Sequence, residues 1–409
     1  MRKLVLAALC ACAASLAVAQ TAYTLPDCPA PDDVVTVVGV PPSDKVYGPA
    51  RSVEVTGSVI RLRTDWYWNT FSPPPSPVRA TLGRLPEGAY RLEIYAREFR
   101  APDAPGPEDL VASKSFVVQA NPPSCAAETI VALDPLLHVA KIGEPYATAP
   151  TLRALDAHGH PVSGVTINLA RFPAIGPTLA DFTSRPQQVV TGANGEARLT
   201  GLTANGVPGA FQYMAWYSYA GETHAQYFVF ANRGALDVLP LVPVVEYFNY
   251  GLLHFFMTSD AGEMRALDAG LASGWHRTGE AFLAFAPAAA GTVAGAVPVC
   301  RFYGRPEAGL DSHFFSASAA ECADVAQRFG HSWMLETSNA FALFLPDTAT
   351  GACPQASMPI YRGYNNLPDA NHRYATSPEG AVHPPAYGIG SPAWSLEGYG
   401  PGVVMCAPR

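Results

Sequence analysis

The sequence predicts a mainly β protein, in which two β-sandwich domains precede a β-rich domain built from three copies of a β-β-α-β unit. Two observations support this prediction. The 409 residues include 39 prolines and 35 glycines without a collagen period, a composition that interrupts long helices and favours strands joined by turns. One pattern also occurs three times at a fixed period near the end of the chain, which indicates a supersecondary unit that is copied and packed against itself.

The amino terminus has the features of a secretory signal peptide. Met1-Arg-Lys precedes an apolar run over residues 4–19, which ends in small residues before Gln20. The run is shorter than the roughly 20 residues that span a bilayer. We therefore expect residues 1–19 to be removed, with no transmembrane segment in the mature chain. The less favoured alternative is a lipoprotein anchor at Cys12. The expected location is secreted, periplasmic or at the cell surface.

Residues 21–123 are predicted to form the first sandwich. The expected strands are residues 34–38, 58–63, 90–96 and 115–118, which are rich in β-branched and aromatic residues. The stretch Leu85-Pro-Glu-Gly-Ala-Tyr90 leads into the third of them. It resembles the tyrosine corner of immunoglobulin-type sandwiches, in which the phenol bonds back to upstream backbone. The resemblance implies an immunoglobulin-like fold for this domain.

Residues 125–232 are predicted to form the second sandwich. Three stretches, residues 152–167, 190–199 and 202–211, each place a glycine turn at a strand junction. From about residue 130 the sequence resembles the bacterial immunoglobulin-like domain of the invasin and intimin type. The resemblance implies a stalk or spacer at a cell surface, and it supplies no catalytic residue.

Residues 244–409 hold the three copies of the pattern. Each copy starts with an aromatic strand, and a second aromatic strand led by a histidine follows it. Successive histidines are 59 residues apart. A glutamate then stands at a predicted helix start, and a tryptophan begins another strand. The shared residues are His254, His313 and His372, then Glu263, Glu321 and Glu379, then Trp275, Trp333 and Trp394. Three equal units predict a pseudo-three-fold domain.

This region resembles a C-terminal repeat domain of unknown function. The resemblance rests on the three copies, on Val297-Pro-Val-Cys-Arg-Phe-Tyr and Glu321-Cys322 in the middle copy, and on Glu397-Gly-Tyr-Gly at the end. Thr337-Ser338 departs from the usual Glu-Gly. Domains of this kind occur on secreted bacterial proteins and some extracellular hydrolases. The resemblance therefore implies an extracellular accessory domain and supplies no established activity.

Cysteine positions favour a particular set of disulfides. Removal of the signal peptide leaves six cysteines, which allow 15 pairings. The favoured pairs each close within one domain or one copy, and export permits their oxidation. These pairs are Cys28 with Cys125, Cys300 with Cys322, and Cys353 with Cys406. No cysteine or histidine spacing in the sequence is typical of a zinc site.

The repeated histidines and glutamates each have a functional and a structural interpretation. Three histidines could converge on an axis and bind zinc. Equal spacing alone does not favour convergence, so we expect each imidazole to be held within its own copy and to bind no metal. The glutamates could act as paired carboxylates. A capping box, in which the first side chain bonds the N3 amide and the glutamate reaches back, explains all three. We therefore predict no catalytic residue and no cofactor.

Aromatic residues, at 11% of the chain, offer faces for sugar binding. Trp66 and Trp68 share one strand face beside a proline-rich loop, and they are weak binding candidates because burial in the core explains them equally well. The three repeated tryptophans are predicted to be buried. The motif Asp156-Ala-His158-Gly-His160 has ligand-like spacing, but a solvated turn is the favoured interpretation.

The expected function is non-catalytic binding or adhesion outside the cell or at its envelope. Polysaccharide, recognised through the repeat domain, and a surface protein are the candidate partners. The alternatives are a hydrolase with an unrecognised active site and a structural spacer. A net charge of −8 without a basic patch makes a nucleic acid an unsuitable partner.

Overall fold

The computed structural model describes residues 21–42, 45–68, 76–99, 105–120, 122, 125–173, 179–234, 240–383 and 394–409, except for the side chain of Trp68. The predicted signal peptide and Cys12 lie outside these residues. The described residues are mainly strands with three short α-helices, which confirms the predicted class. None of those helices is long and apolar enough to cross a bilayer. Residues 21–129, 155–162 and 218–224 form one compact unit, and the other described residues form a second.

The first seven strands form two sheets. They are β1 (Thr21–Leu25), β2 (Val35–Val40), β3 (Lys45–Thr56), β4 (Val59–Trp68), β5 (Val78–Gly83), β6 (Gly88–Glu98) and β7 (Glu108–Val118). The sheet orders are β1-β2-β5 and β3-β4-β6-β7. Alternate residues of the strands, among them Val37, Leu62 and Ile94, point into one shared apolar core. We call these strands the first sheet pair.

The predicted tyrosine corner is present in the first sheet pair. The Tyr90 hydroxyl donates a hydrogen bond to the Pro86 carbonyl at 2.9 Å. The Tyr90 ring stacks on Phe116 of β7, with ring centroids 5.5 Å apart. The phenol therefore fixes the turn that leads into β6.

The next eight strands form the second sheet pair. They are β8 (Thr129–Ala132), β9 (Leu137–Lys141), β10 (Thr151–Leu155), β11 (Thr166–Phe172), β12 (Gln188–Val190), β13 (Glu196–Arg198), β14 (Gly209–Tyr219) and β15 (Glu222–Arg233). The sheet orders are β13-β10-β8 and β12-β11-β14-β15-β9. Phe182 lies 4.7 Å from both Tyr213 and Phe230, measured between ring centroids. This aromatic cluster is buried and supplies much of the local core.

We describe the remaining elements by the three segments of the sequence pattern, which we call copies 1 to 3. The first two have the order strand-strand-helix-strand, and the third has one further strand after its helix. Copy 1 contains β16 (Leu241–Asn249), β17 (His254–Thr258), α1 (Ala261–Asp268) and β18 (Trp275–Phe285). Copy 2 contains β19 (Ala296–Gly304), β20 (His313–Ser316), α2 (Ala319–Arg328) and β21 (Trp333–Phe344). Copy 3 contains β22 (Ser357–Tyr364), β23 (His372–Ala375), α3 (Pro378–Val382), β24 (Ser395–Glu397) and β25 (Val403–Pro408). Short 3₁₀ turns occupy Pro287–Ala289 and Pro306–Ala308.

The three copies share one sheet and one core. All of their strands belong to a single ten-stranded sheet. Buried residues from each copy, including Phe282, Phe341 and Ile360, form the largest hydrophobic cluster, and Leu136 and Leu137 of the second sheet pair pack against it. Each copy therefore buries its apolar surface against its neighbours, as stacked units do.

The helix starts follow the predicted capping pattern in two copies. The Glu263 amide donates to the Asp260 carboxylate at 2.8 Å, and the Glu321 amide donates to Ser318 Oγ at 3.3 Å. In copy 3 the cap is Ser377, which accepts from the Gly380 amide. The capping box predicted for Glu379 requires a cap three residues earlier, at Thr376. This prediction is wrong, because the Thr376 hydroxyl donates to the buried Glu280 carboxylate instead.

All three predicted cysteine pairs lie at disulfide-bonding distance. The Cα–Cα distances are 5.8 Å for Cys28 and Cys125, 6.3 Å for Cys300 and Cys322, and 5.7 Å for Cys353 and Cys406. The second pair ties α2 to β19, and the third ties the start of copy 3 to its last strand.

Replacing both Cys353 and Cys406 by serine should lower the free energy of unfolding by about 4 kcal/mol. The reason is that this bridge closes a loop of 53 residues, and the loss of loop constraint stabilises the unfolded chain. Urea unfolding of the oxidised protein measures the change. Non-reducing peptide mapping checks the pairing, and a peptide that joins Cys300 to Cys353 would contradict it.

Candidate functional site

Two of the three repeated glutamates, Glu263 and Glu321, link successive copies. Glu263 of copy 1 accepts two hydrogen bonds from Arg301 of copy 2, each at 3.0 Å. Glu321 of copy 2 accepts two from Arg362 of copy 3, at 3.2 and 2.8 Å. The predicted reach-back to the capping residue's amide is wrong for both glutamates. In both copies that amide donates to a hydroxyl at the end of the preceding strand, so each glutamate is available to the next copy.

Both arginines also contact a carboxylate of their own copy. Arg301 Nε lies 2.8 Å from Glu336, and Arg362 Nε lies 3.0 Å from Glu397. Burial would by itself raise the pKa of Glu321, but the hydrogen bonds and charge of Arg362 outweigh this and lower it. The Arg362 guanidinium therefore favours the ionised form of Glu321.

The three repeated histidines each approach a different carboxylate. His313 Nε2 lies 3.5 Å from Glu336, and His372 Nε2 lies 3.5 Å from Glu397, both within one copy. His254 does not follow the expectation that each histidine is held within its own copy. Its Nδ1 donates to the carbonyl of Asp311 in copy 2 at 2.6 Å, and its Nε2 lies 3.0 Å from Asp369 in copy 3. The prediction of partners within the same copy is wrong for His254, because its neighbours on adjacent copies supply the polar groups.

The repeated tryptophans are not equally buried. Trp394 is buried and meets Phe255 edge to face, with ring centroids 5.9 Å apart. Trp275 and Trp333 are only half-buried. The burial prediction is therefore correct for copy 3 alone. At Trp275 the exposed side of the ring faces a cleft.

This cleft has a volume of about 280 Å³ and opens where copy 1 meets the second sheet pair. Six of its nine lining side chains carry rings. The lining residues are Phe172, Tyr227, Tyr247, Tyr250, Leu267, Asp268, Trp275, His276 and Arg277. Tyr250 is 61% exposed, and its ring centroid lies 5.4 Å from that of His276. The cleft thus combines an exposed aromatic rim with a polar floor.

Asn249 fixes the rim of the cleft. Its Oδ1 accepts hydrogen bonds from the amides of Gly251 and Leu252, and its Nδ2 donates to the Ser273 carbonyl. Gly274 has φ +83° and passes so close that a Cβ there would lie 3.0 Å from Asn249 Oδ1. These contacts hold together the two turns that present Tyr250 and Trp275.

The buried Arg277 and the half-buried Asp268 form an ion pair at the floor of the cleft. Arg277 donates to both oxygens of Asp268, at 2.8 and 2.7 Å, and to Gln212 Oε1 at 2.7 Å. The Tyr247 hydroxyl donates to Asp268 at 3.0 Å. The Arg277 guanidinium also lies 4.7 Å from the centroid of the Tyr227 ring. Burial opposes the charge on Arg277, but Asp268 outweighs it and raises the pKa of Arg277. The floor is therefore charged and rigid.

Residues 217–344 and 243–388 match the family model described as Domain of unknown function (DUF5648). The two matched stretches overlap and cover the whole of copies 1 and 2, and copy 3 as far as the end of α3. They include every residue of copy 1 that lines the cleft. No curated protein matches the chain.

Of the weak sequence candidates Trp66 and Trp68, the structure describes the side chain of Trp66. Trp66 is half-buried against the core of the first sheet pair, and Lys45 Nζ lies 4.0 Å from the centroid of its ring. The side chain of Trp68 lies outside the described residues. The exposed rings nearby are Tyr67 and Phe99, with centroids 5.2 Å apart.

The motif around Asp156 forms the predicted turn. Asp156 Oδ1 accepts hydrogen bonds from the amides of His158 and His160, at 2.9 and 2.8 Å. Among the described residues, Cys125, Asp156 and His158 are the one group of potential metal ligands that lie close together. Cys125 is paired with Cys28, so it offers no thiolate to a metal.

Sequence reasoning did not identify the cleft. Tyr250, Asp268 and Arg277 stand outside the repeated pattern, and Phe172 and Tyr227 belong to a different predicted domain. One signal was available: copy 1 has Tyr250 and Asp268 at positions where the other copies have unlike residues. A search for positions at which the three copies have different residues would have found Tyr250 and Asp268.

The free energy of unfolding should fall as the pH decreases from about 6.5. Burial, followed by the charge of Arg362, lowers the pKa of His372 to about 3, while an unfolded histidine titrates near 6.5. The unfolded chain therefore binds more protons in this window, and His372 contributes a slope of about 1.4 kcal/mol per pH unit. Urea unfolding between about pH 7 and pH 5 measures it. His372→Gln should flatten the slope, and the exposed control His331→Gln should not. Equal slopes in all three proteins would contradict the prediction.

Proposed function

We propose that this protein is a non-catalytic binding protein of the cell envelope or its surroundings, which recognises polysaccharide through the cleft of copy 1. The observation that carries the proposal is the pairing of exposed aromatic rings with a preorganised ion pair in one cleft. Small-ligand sites combine an apolar or aromatic lining with a few fixed polar groups. A sugar ring requires both, because it presents C–H faces and hydroxyl edges.

Each part of the cleft has a role in this proposal. Tyr250 and Trp275 offer ring faces for the apolar side of a sugar. The Asp268 carboxylate offers oxygens that accept hydrogen bonds from sugar hydroxyls. Because Arg277 and Tyr247 already orient this carboxylate, little further ordering is needed on binding. The volume of about 280 Å³ is near the lower limit of ligand sites, which suits one sugar residue of a longer chain.

The ionisable groups of the cleft support binding rather than hydrolysis. A glycoside hydrolase of the usual type needs two carboxyl groups, one on each side of the scissile bond. Asp268 is the single carboxylate among the residues that line this cleft. It is engaged by Arg277 and Tyr247, and burial raises the pKa of Tyr227 and Tyr247, which makes both phenols poor acids.

The remaining parts of the chain are assigned a supporting role. We propose that both sheet pairs are immunoglobulin-like sandwiches that act as spacers, and that the three copies form a pseudo-three-fold domain. The tyrosine corner at Tyr90 supports the first assignment. The Glu263–Arg301 and Glu321–Arg362 links support the second, since they join successive copies in the same way. The predicted signal peptide and the three cysteine pairs at disulfide-bonding distance support export.

A glycan-array screen of the mature protein should identify polysaccharide ligands. Tyr250→Ala should then weaken binding to the identified glycan by about five- to tenfold, because it removes an exposed stacking ring and leaves the floor intact. Titration calorimetry measures the loss. Phe329→Ala is the matched control, since Phe329 is an exposed ring of copy 2 that does not line the cleft.

Three outcomes would contradict the proposal. The first is the absence of any glycan ligand. The second is an equal loss of glycan affinity in Tyr250→Ala and Phe329→Ala. The third is release of reducing ends from a bound glycan, which would indicate a hydrolase.

A further inference from the structure

The disulfide between Cys28 and Cys125 lies beside two further side chains of metal-ligating type. The Cys125 sulfur, an Asp156 carboxylate oxygen and a His158 ring nitrogen lie within 4.8 Å of one another. All four residues belong to the first compact unit. Within the part of the chain that the structure describes, neither of the other two cysteine pairs belongs to a group of this kind. The arrangement is therefore specific to the Cys28–Cys125 pair.

His158 has the hydrogen-bonding pattern of a metal ligand. Its Nε2 lies 3.1 Å from Asp33 Oδ2, and this carboxylate oxygen also accepts a hydrogen bond from the Ala30 amide at 2.7 Å. Its Nδ1 is buried and has no hydrogen-bond partner among the described residues. Histidines that bind metals usually donate their other ring N–H to a carboxylate, which fixes the tautomer and leaves the remaining nitrogen for the metal. A ligand at Nδ1 would also satisfy a buried polar atom, which is costly to leave unpaired.

Asp156 is held in place beside His158 by the turn that follows β10. Its side chain is fully buried, and its Oδ1 accepts hydrogen bonds from the amides of His158 and His160. The backbone of the turn therefore fixes the carboxylate before any ligand arrives. Together with the two cysteines, the turn offers two sulfurs, one imidazole nitrogen and one carboxylate oxygen. These are donor types that zinc binds in tetrahedral sites.

The charges around this group favour a cation. Burial raises the pKa of Glu128, and the charges of Asp27 and Asp156 add to this effect. Lys114 lies nearby, but it is paired with Asp27. Two cysteine thiolates in this surrounding would add negative charge beside carboxylates, which is unfavourable without a counterion. A divalent cation bound to the thiolates supplies that counterion.

We propose that Cys28, Cys125, Asp156 and His158 bind one Zn²⁺ when the disulfide is reduced. The inference goes beyond the proposed recognition of polysaccharide and does not depend on it. A dithiol supplies two electrons and two protons to the disulfide, and it becomes a disulfide itself while both cysteines become thiols. Zinc binding then releases the two thiol protons to solvent. Oxidation of the two thiolates by a disulfide reverses the process and releases the zinc.

The geometry requires only small movements after reduction. Zinc bonds of about 2.0–2.3 Å in a tetrahedral site place the donor atoms roughly 3–4 Å apart. The donor separations of up to 4.8 Å are close to this, and the two sulfurs move apart once their bond is broken. The ion would join the segments that carry Cys28 and Cys125, as the disulfide does. A chain that has not yet met an oxidising compartment still holds thiols, so zinc would connect these segments before the disulfide forms.

The test uses the full mature protein, reduced with a phosphine and titrated with zinc in competition with a chromophoric chelator. The reduced wild type should bind one Zn²⁺, and the oxidised protein should bind none. His158→Gln should weaken binding at least about 100-fold and Asp33→Asn about 10- to 100-fold, because the first removes a ligand and the second its orienting partner. His160→Gln is the matched control. It changes an exposed histidine of the same turn that is not in the ligand group, and it should leave the affinity unchanged.

Reduction also opens the other two disulfides, so a second comparison assigns the cysteines. Co²⁺ in place of Zn²⁺ reports thiolate ligands through its visible absorption. Replacement of Cys300 and Cys322 by serine should preserve the cobalt spectrum, and replacement of Cys28 and Cys125 should abolish it. The oxidised His158→Gln and Asp33→Asn proteins keep the disulfide, so their urea unfolding shows that lost zinc binding does not reflect a lost fold.

Four outcomes would overturn the proposal. They are the absence of zinc binding by the reduced wild type, equal affinity in wild type and His158→Gln, equal weakening by His158→Gln and His160→Gln, and a cobalt spectrum that persists without Cys28 and Cys125. Tyr250→Ala should bind zinc as the wild type does, which separates this test from that of the glycan site.

Discussion

The repeat region depends on the link between a helix glutamate of one copy and a strand arginine of the next. Arg301 and Arg362 each form two ion pairs. One is with the helix glutamate of the preceding copy, and the other is with a glutamate of the arginine's own copy. Arginine suits this role because its planar fork donates to two carboxylates in fixed directions. The arginine side chains are largely buried, so removal of one partner would leave a poorly solvated charge. The links thereby fix the order and spacing of the copies more than they add stability.

Contacts between copy 3 and copy 1 join residues at different positions of the copies. Arg373 of copy 3 pairs with the buried Glu246 of copy 1, and Thr376 donates to the buried Glu280. Burial, followed by the nearby charge of Glu246, raises the pKa of Glu280. The positive charge of Arg373 thus lies close to two acidic groups, Glu246 and Glu280. The raised pKa of Glu280 reduces the net negative charge at this contact. The geometry of these contacts differs from that of the Glu–Arg links, so the three copies are similar without being equivalent.

The sequence predicts those features that depend on local pattern. Along β6, Leu92 and Ile94 alternate with the charged residues Arg91 and Glu93, a pattern that predicts their burial. The entry motif predicts the hydrogen bond of Tyr90, and position within domains predicts the cysteine pairs. The sequence does not predict partners that come from a different copy. The sequence around the glutamates is compatible with a capping box and with a link to an arginine. The link forms because α1 lies beside β19, which carries Arg301. His254 has partners 57 and 115 residues away, which no local pattern contains.

The candidate cleft arises where the copies differ, because the features they share serve the fold. The helix position five residues after the linking glutamate shows this. It is Asp268 in copy 1, where it pairs with Arg277 and forms the polar floor of the cleft. It is Ala326 in copy 2, where it helps to line an apolar groove. The shared glutamate, strand order and core allow both residues, since neither takes part in the links between copies. A single fold can therefore present a polar aromatic cleft on one copy and an apolar groove on the next, and the divergence between copies is the best guide to function in this region.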